Sequence, residues 1–274
     1  MKQYLSLVEE VLENGERRLD RTKIGTISLF GSLRKYDLRE GFPLVTTKKV
    51  VFRNVLEELM WFLKGSTNIY KDIQKKEKHT KIWDLWAQND GAVGPIYGYQ
   101  WVSWEKFIWN EEKKSYEKTH INQLQEAMDT IKNDPYSRRI VVSAWNVADI
   151  NSMVLPPCHV LFQFYVVNGR LDCLMYQRSA DLAIGVPYNI ASYAALLMMM
   201  AQECNLIPGI FTHAIGDAHV YLNCIDGLEK QLKRDPYPLP KVELAKKSFW
   251  EITPDDFKFI NYQHHPFIKF PVNE

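Results

Sequence analysis

The stretch from His159 to Arg178 constrains this chain more than any other. HVLFQFYVV and RLDCLMYQR, both rich in β-branched and aromatic residues, flank the dipeptide Asn168-Gly169. Asn-Gly tolerates the two left-handed positions of a type I′ turn, whose twist matches that of the strands it joins, so the segment reads as an antiparallel hairpin. RRIVVSAW, from Arg138 to Trp145, has the same texture and is a third strand candidate. Apolar residues recurring at three and four positions predict helices over Tyr4–Asn14, Val51–Leu63, Ile121–Lys132, Ile190–Cys204 and Cys224–Lys233. Helices and strands alternate without a regular βαβ rhythm, and neither GxGxxG nor GxxxxGK[ST] occurs. The expected fold is α+β, a largely antiparallel or mixed twisted sheet with packed helices. Glu105 to Thr119 (EKFIWNEEKKSYEKT) is polar, lysine-rich and without clear period, and is expected to be an exposed loop or surface excursion carrying no chemistry.

No linker, repeat or compositional break divides the 274 residues, and 46% hydrophobic with 24% charged residues is enough for one core, so residues 1–274 are expected to form a single domain. Lys plus Arg number 34 against 33 Asp plus Glu, a net charge of +1, which gives no global field to gather nucleic acid or an anionic membrane. An anionic ligand must be held by local arginines. Cys158, Cys173, Cys204 and Cys224 are too few and too unevenly spaced for a disulfide framework or a zinc site. Glu9 and Glu10 interrupt any secretory signal, and the longest nearly apolar run, Ile190 to Ala201, is shorter than the roughly 20 residues that span a bilayer. The expectation is a soluble cytoplasmic protein with no membrane and no specific nucleic-acid partner.

Several residues could carry chemistry. Cys158 follows two prolines in LPPCHV and precedes His159 at the mouth of a strand, where a rigid turn and nearby cations suit a nucleophile; a small buried hydrophobe is the plainer alternative. Arg138 and Arg139, and Arg178 with Ser179, stand at strand ends and suit a phosphate, although each alone could be a surface ion pair. In SADLAIGVPYNIASYA, Asp181, Gly185, Pro187 and Asn189 read as a turn leading into a helix, with Asn189 at or just before its start. There Asn189 could simply cap the helix, or its amide could match the N3–H and O4 of a uracil edge. His219 and Tyr221 are two apart in GDAHVYLN and so share one face of an extended segment.

Taken in order, DRT, FPLVTTKK, EELMWFLKGSTN, IWDLW, GPIYGYQW, DPYSRRIVVSAWN, LPPCHVLFQFYV, YQRSADLAIGVPYNIASYA and GDAHVYLN closely resemble the thymidylate synthase family, from Met1 to about Val272. Long motifs in one order are highly specific. The resemblance implies a homodimer packed through its sheets and a one-carbon transfer from 5,10-methylenetetrahydrofolate to C5 of dUMP, without metal. It implies that Cys158 adds to C6 of the uracil while Glu58 organises proton transfers through water, with Tyr97, His159 and Gln177 supporting the pyrimidine side. It further implies that Arg21, Arg178 and Ser179 hold the phosphate, joined by Arg138 and Arg139 of the other subunit. Asn189 would read the base, and His219 with Tyr221 would bond the 3′-hydroxyl. Asp181, Trp83, Ile82, Gly185, Tyr188 and Val272 would bound the folate, and Lys48 would help hold its glutamate tail.

The chain departs from the family pattern at three places. It ends PVNE where a short apolar tail is usual, carries Tyr188 where phenylalanine is usual, and reads DRTKIGT for DRTGTGT. Asn273 and Glu274 place polar groups in an expected apolar lid, and a carboxylate is costly to bury unpaired. Water rather than hydride could then reach the transferred carbon, giving 5-hydroxymethyl-dUMP and tetrahydrofolate instead of dTMP and dihydrofolate. Thymidylate synthesis is the leading expectation, dUMP hydroxymethylation the alternative, and a silent nucleotide- or RNA-binding relative the third.

Overall fold

The computed structural model describes residues 1–19, 21–72 and 82–273. In chain order the elements are α1 (Lys2–Asn14), β1 (Glu16–Arg18), β2 (Thr26–Asp37), α2 (Phe52–Leu63), α3 (Ile69–Asp72), α4 (Tyr97–Ser103), β3 (Trp104–Asn110), β4 (Ser115–Ile121), α5 (Gln123–Asn133) and β5 (Val141–Ser143). They continue with β6 (His159–Val167), β7 (Arg170–Asp181), α6 (Gly185–Glu203), β8 (Ile207–Tyr221), α7 (Ile225–Leu232), β9 (Lys241–Leu244) and β10 (Phe257–Ile260). The chain is α+β, as expected.

Among the described residues one six-stranded sheet runs β1-β2-β8-β7-β6-β5. The β6–β7 hairpin lies at its heart, and all neighbours are antiparallel except β7 and β8, which run parallel. A parallel pair cannot be closed by a tight turn, and α6 is the crossover that returns the chain to the starting edge. Its sequence fits that place. The helix is apolar around nearly its whole circumference, and small residues such as Ala191, Ala194 and Ala195 let it lie close to the sheet and to α2. The stripe Tyr4, Leu7, Val8 and Val11 of α1 covers another part of the core. No helix of the described residues is long and apolar enough to cross a membrane.

Topology then gathers one end of the sheet. The starts of β2 and β6 meet the ends of β7 and β8 there, with His159 opposite Gln177, Asp181 opposite His219 and Thr26 opposite Tyr221. Three sequence expectations need correction. Glu105–Thr119 is not a loop but most of the β3–β4 hairpin, paired from Trp104 opposite Ile121 to Asn110 opposite Ser115. Both of its faces meet solvent, so neither imposes the apolar alternation by which a strand is recognised. Of Arg138–Trp145 only Val141–Ser143 forms strand β5, flanked by single hydrogen bonds linking Ile140 and Ala144 to β6, and Arg138 and Arg139 are exposed ahead of it. Asn189 does not cap α6, which begins at Gly185 with Ile184 as its flanking residue.

Helices α2 and α4 cross at Gly98, where an added Cβ would lie 1.9 Å from the Phe62 carbonyl oxygen. A backbone atom cannot step aside as a side chain can. Gly98→Ala is therefore expected to lower unfolding stability by about 3 kcal/mol or more, read as a drop in urea midpoint, with loss of activity because both helices carry cavity residues.

Candidate active site

Cys158 is held from several sides. Pro156 and Pro157 restrict the backbone ahead of it, and their carbonyls accept from the Arg178 guanidinium at 2.7 and 2.9 Å. The Arg178 amide donates to the Cys158 carbonyl at 2.9 Å, while the Cys158 amide donates to the Tyr97 hydroxyl at 2.8 Å. The guanidinium also lies over the Trp145 ring, 5.6 Å from its centre. Arg178 thus fastens the cysteine turn to β7 in this structure, and its side chain does not line the cavity described below.

Glu58 faces the cysteine from α2. Its Oε1 accepts from the Trp83 indole at 2.6 Å, and Trp83 is itself wedged edge-on among Trp61, Phe62 and Tyr97. Burial pushes the carboxyl up to about 7, with the indole bond pulling the other way. Its neighbour Glu57 pairs instead with Arg53 at 2.9 Å. A carboxyl poised near neutrality suits proton transfer in either direction.

A buried polar chain runs beneath the cysteine. His213 Nε2 lies 2.8 Å from Gln177 Oε1, and Gln177 Nε2 donates to the Ser179 carbonyl at 2.9 Å and to Asn189 Oδ1 at 3.0 Å. Burial lowers the His159 ring to about 4, so it is neutral at physiological pH, edge-on to Tyr97 and Tyr193. Asp181 Oδ1 accepts from the Ala183 amide at 2.8 Å, and burial raises its carboxyl. His219 Nδ1 lies 3.1 Å from Asp217 Oδ1, a carboxylate held low chiefly by this bond and also paired with Arg18. An ionised acceptor fixes the hydrogen on Nδ1 and leaves Nε2 as the ring's other polar atom. Tyr221 meets the same ring edge-on at 5.2 Å.

Many of these groups open onto a cavity of about 220 Å³. Its lining brings together Arg21, Glu58, Trp83, Tyr97, Cys158, His159, Gln177, Ser179, Asp181, Gly185, Tyr188, Asn189, His219, Tyr221 and Val272. Four predicted site residues lie elsewhere. Arg138 and Arg139 are exposed away from it, Arg178 clasps the prolines, and Lys48 is buried with its ammonium donating to the Ala183 carbonyl and set over the Phe270 ring. Burial lowers Lys48 to about 8. Ile82 opens a short helical turn, its side chain outside the described residues. Sequence reasoning missed Phe62, Trp86, Leu155 and Ile184 of the lining, which also includes Asn273, expected in the lid. The apolar ones look like ordinary core residues along the chain, and only the fold turns them toward a cavity.

The polar departures from the family pattern have partners. Asn273 and Asn223 exchange amide hydrogen bonds at 2.8 and 3.2 Å, and the Asn54 side chain near Tyr188 counters the upward push of burial on its phenol. Glu274 lies outside the described residues. The lining also fits a flat heteroaromatic such as a pterin. Trp83 offers an indole, Asp181 a buried acceptor, and at Gly185 even an added Cβ would come no nearer than 3.5 Å to another group.

A family model described as thymidylate synthase matches residues 2–274. One consequence of the Glu58 environment is independent of any ligand. Because the folded-state pKa lies above the unfolded value of 4.5, the native protein keeps this proton where the unfolded chain has lost it, and stability falls as pH rises from about 4.5 to about 7. Glu58→Gln is expected to unfold at a higher urea midpoint than the parent above pH 7, by on the order of 1 kcal/mol, and to converge with it below about pH 4.5.

Proposed function

Because the chain belongs to the thymidylate synthase family, whose members transfer one carbon from methylenetetrahydrofolate to C5 of dUMP, we propose that it is a thymidylate synthase making dTMP and dihydrofolate. The observation that carries this reading is the shared cavity wall: Cys158, Glu58 and Asn189 line one space from three separate elements. Cys158 Sγ adds to C6 of the uracil, and the electron pair displaced to C5 makes that carbon a nucleophile. Glu58 relays protons at O4 and during loss of the C5 hydrogen, and elimination of Cys158 from C6 ends the cycle. Bound folate supplies the methylene and then the hydride. Asp181 accepts from its pterin, Trp83 packs beside it, and Gly185, Tyr188 and Val272 complete its walls.

Arg21 and Ser179 hold the phosphate from within the chain. Arg138 and Arg139, exposed and absent from the lining of their own cavity, serve that of a second copy. The outward face of the sheet supports such a homodimer, since Leu33, Val141, Tyr165 and Leu174 stand exposed on it. Hydride rather than water is favoured because the amide of Asn273 already has a protein partner.

Incubation with dUMP and methylenetetrahydrofolate is expected to yield dTMP and dihydrofolate by chromatography and mass; 5-hydroxymethyl-dUMP with tetrahydrofolate would make the chain a hydroxymethylase instead. Cys158→Ser should abolish turnover while calorimetry still registers dUMP binding. Turnover at the parent rate would remove Cys158 from the mechanism.

A further inference from the structure

His213 is fully buried on β8, outside the cavity lining, and yet governs the amide chain that ends at Asn189. The polarity of that chain can be worked out atom by atom. The Ser179 carbonyl can only accept, so the Gln177 group facing it is the NH2, and the group facing His213 is the oxygen. That oxygen can also only accept, so the hydrogen of the His213 ring must sit on Nε2. The ring has one hydrogen to place, since burial lowers its pKa to about 3, and Nδ1 has no partner among the described residues. Gln177's second N–H then points at Asn189, which must answer with Oδ1.

We propose that His213 determines the pyrimidine specificity of the site from outside it, holding Gln177 so that Asn189 presents the edge that fits uracil. The inference rests on the reading of Asn189 as the base-contacting residue. With Oδ1 turned to Gln177, Asn189 offers its NH2 to O4 and the second lone pair of Oδ1 to N3–H. Rotated by half a turn, the same amide offers a donor to N3 and an acceptor to the exocyclic amine, which is the complement of cytosine. That rotation needs Gln177 to turn as well, which would bring two N–H groups together at His213 and two oxygens together at Ser179. Ser179 contributes a backbone lock and His213 a side-chain lock. A positioning residue of this kind touches neither nucleotide nor folate.

The test compares kcat/KM for dUMP and dCMP in the wild type, His213→Phe and His213→Gln. Removing the Nε2 donor leaves a buried oxygen unmet, and the preference for dUMP is expected to fall about tenfold or more in His213→Phe. His213→Gln, whose amide can place an N–H near the same point, should recover most of it. If both nucleotides lose equally in His213→Phe and the ratio holds, the role is structural and the proposal is overturned. In the wild type, nitrogen NMR should find the His213 hydrogen on Nε2; finding it on Nδ1 would overturn the proposal even if His213→Phe fails to fold. A wild type indifferent between dUMP and dCMP would overturn the reading of Asn189, and this inference with it.

Discussion

The parallel pairing of β7 with β8 is the constraint from which the rest of the molecule follows. Two adjacent strands that run the same way must end at the same edge, and their connection must travel back along the sheet. The nineteen-residue α6 does so, and its apolar circumference is the chemical requirement of a helix enclosed on all sides. Because β7 and β8 end together, Asp181 and His219 stand in register, and the antiparallel β6 brings His159 to the same edge. The ends of an open sheet at such a point form a natural crevice. Here α2 supplies Glu58 as its opposite wall, and α4 supplies Tyr97.

Polar groups are then sunk into apolar surroundings, and each is tolerated for a stated reason. Glu58 has an indole donor, Asp181 a backbone amide, His213 an amide oxygen. Burial shifts all three titrations, upward for the acids and downward for the imidazole, as loss of hydration requires. The rings around them are packed edge to face, as Trp83 is on Trp61 and Tyr97, or stacked, as Phe211 is on His213, and leave little room for reorientation.

Much of this was legible along the chain, and the failures share a cause. The β6–β7 hairpin and the helical stripes of α1 and α5 announce themselves because one face is wet and the other dry. β8 reads as extended only at its GDAHVYLN end, since Thr212 and the buried His213 interrupt its apolar pattern ahead of that. β2 keeps one register across Gly31, but Phe30 and Leu33 stand exposed on it, so its apolar residues do not mark the buried face. The β3–β4 hairpin, wet on both faces, carries no period to detect. The residues bearing chemical character were visible as types, but which of them share a space is a property of topology. Lys48 and Arg178 show the difference: in sequence both read as ligand-binding cations, while in the fold each also gives hydrogen bonds to carbonyls of the chain itself and neither lines the cavity.

The Arg178 clasp has a mechanical consequence. Its side chain and its own amide tie Pro156, Pro157 and Cys158 to a strand whose neighbouring residues, Gln177 and Ser179, belong to the buried amide chain that ends at Asn189. The Cys158 sulfur and the Gln177 amide are therefore surveyed from one common datum. Thermal displacement of that strand carries both together, so a relative misplacement of the ångström size that is ruinous for catalysis does not accumulate between them.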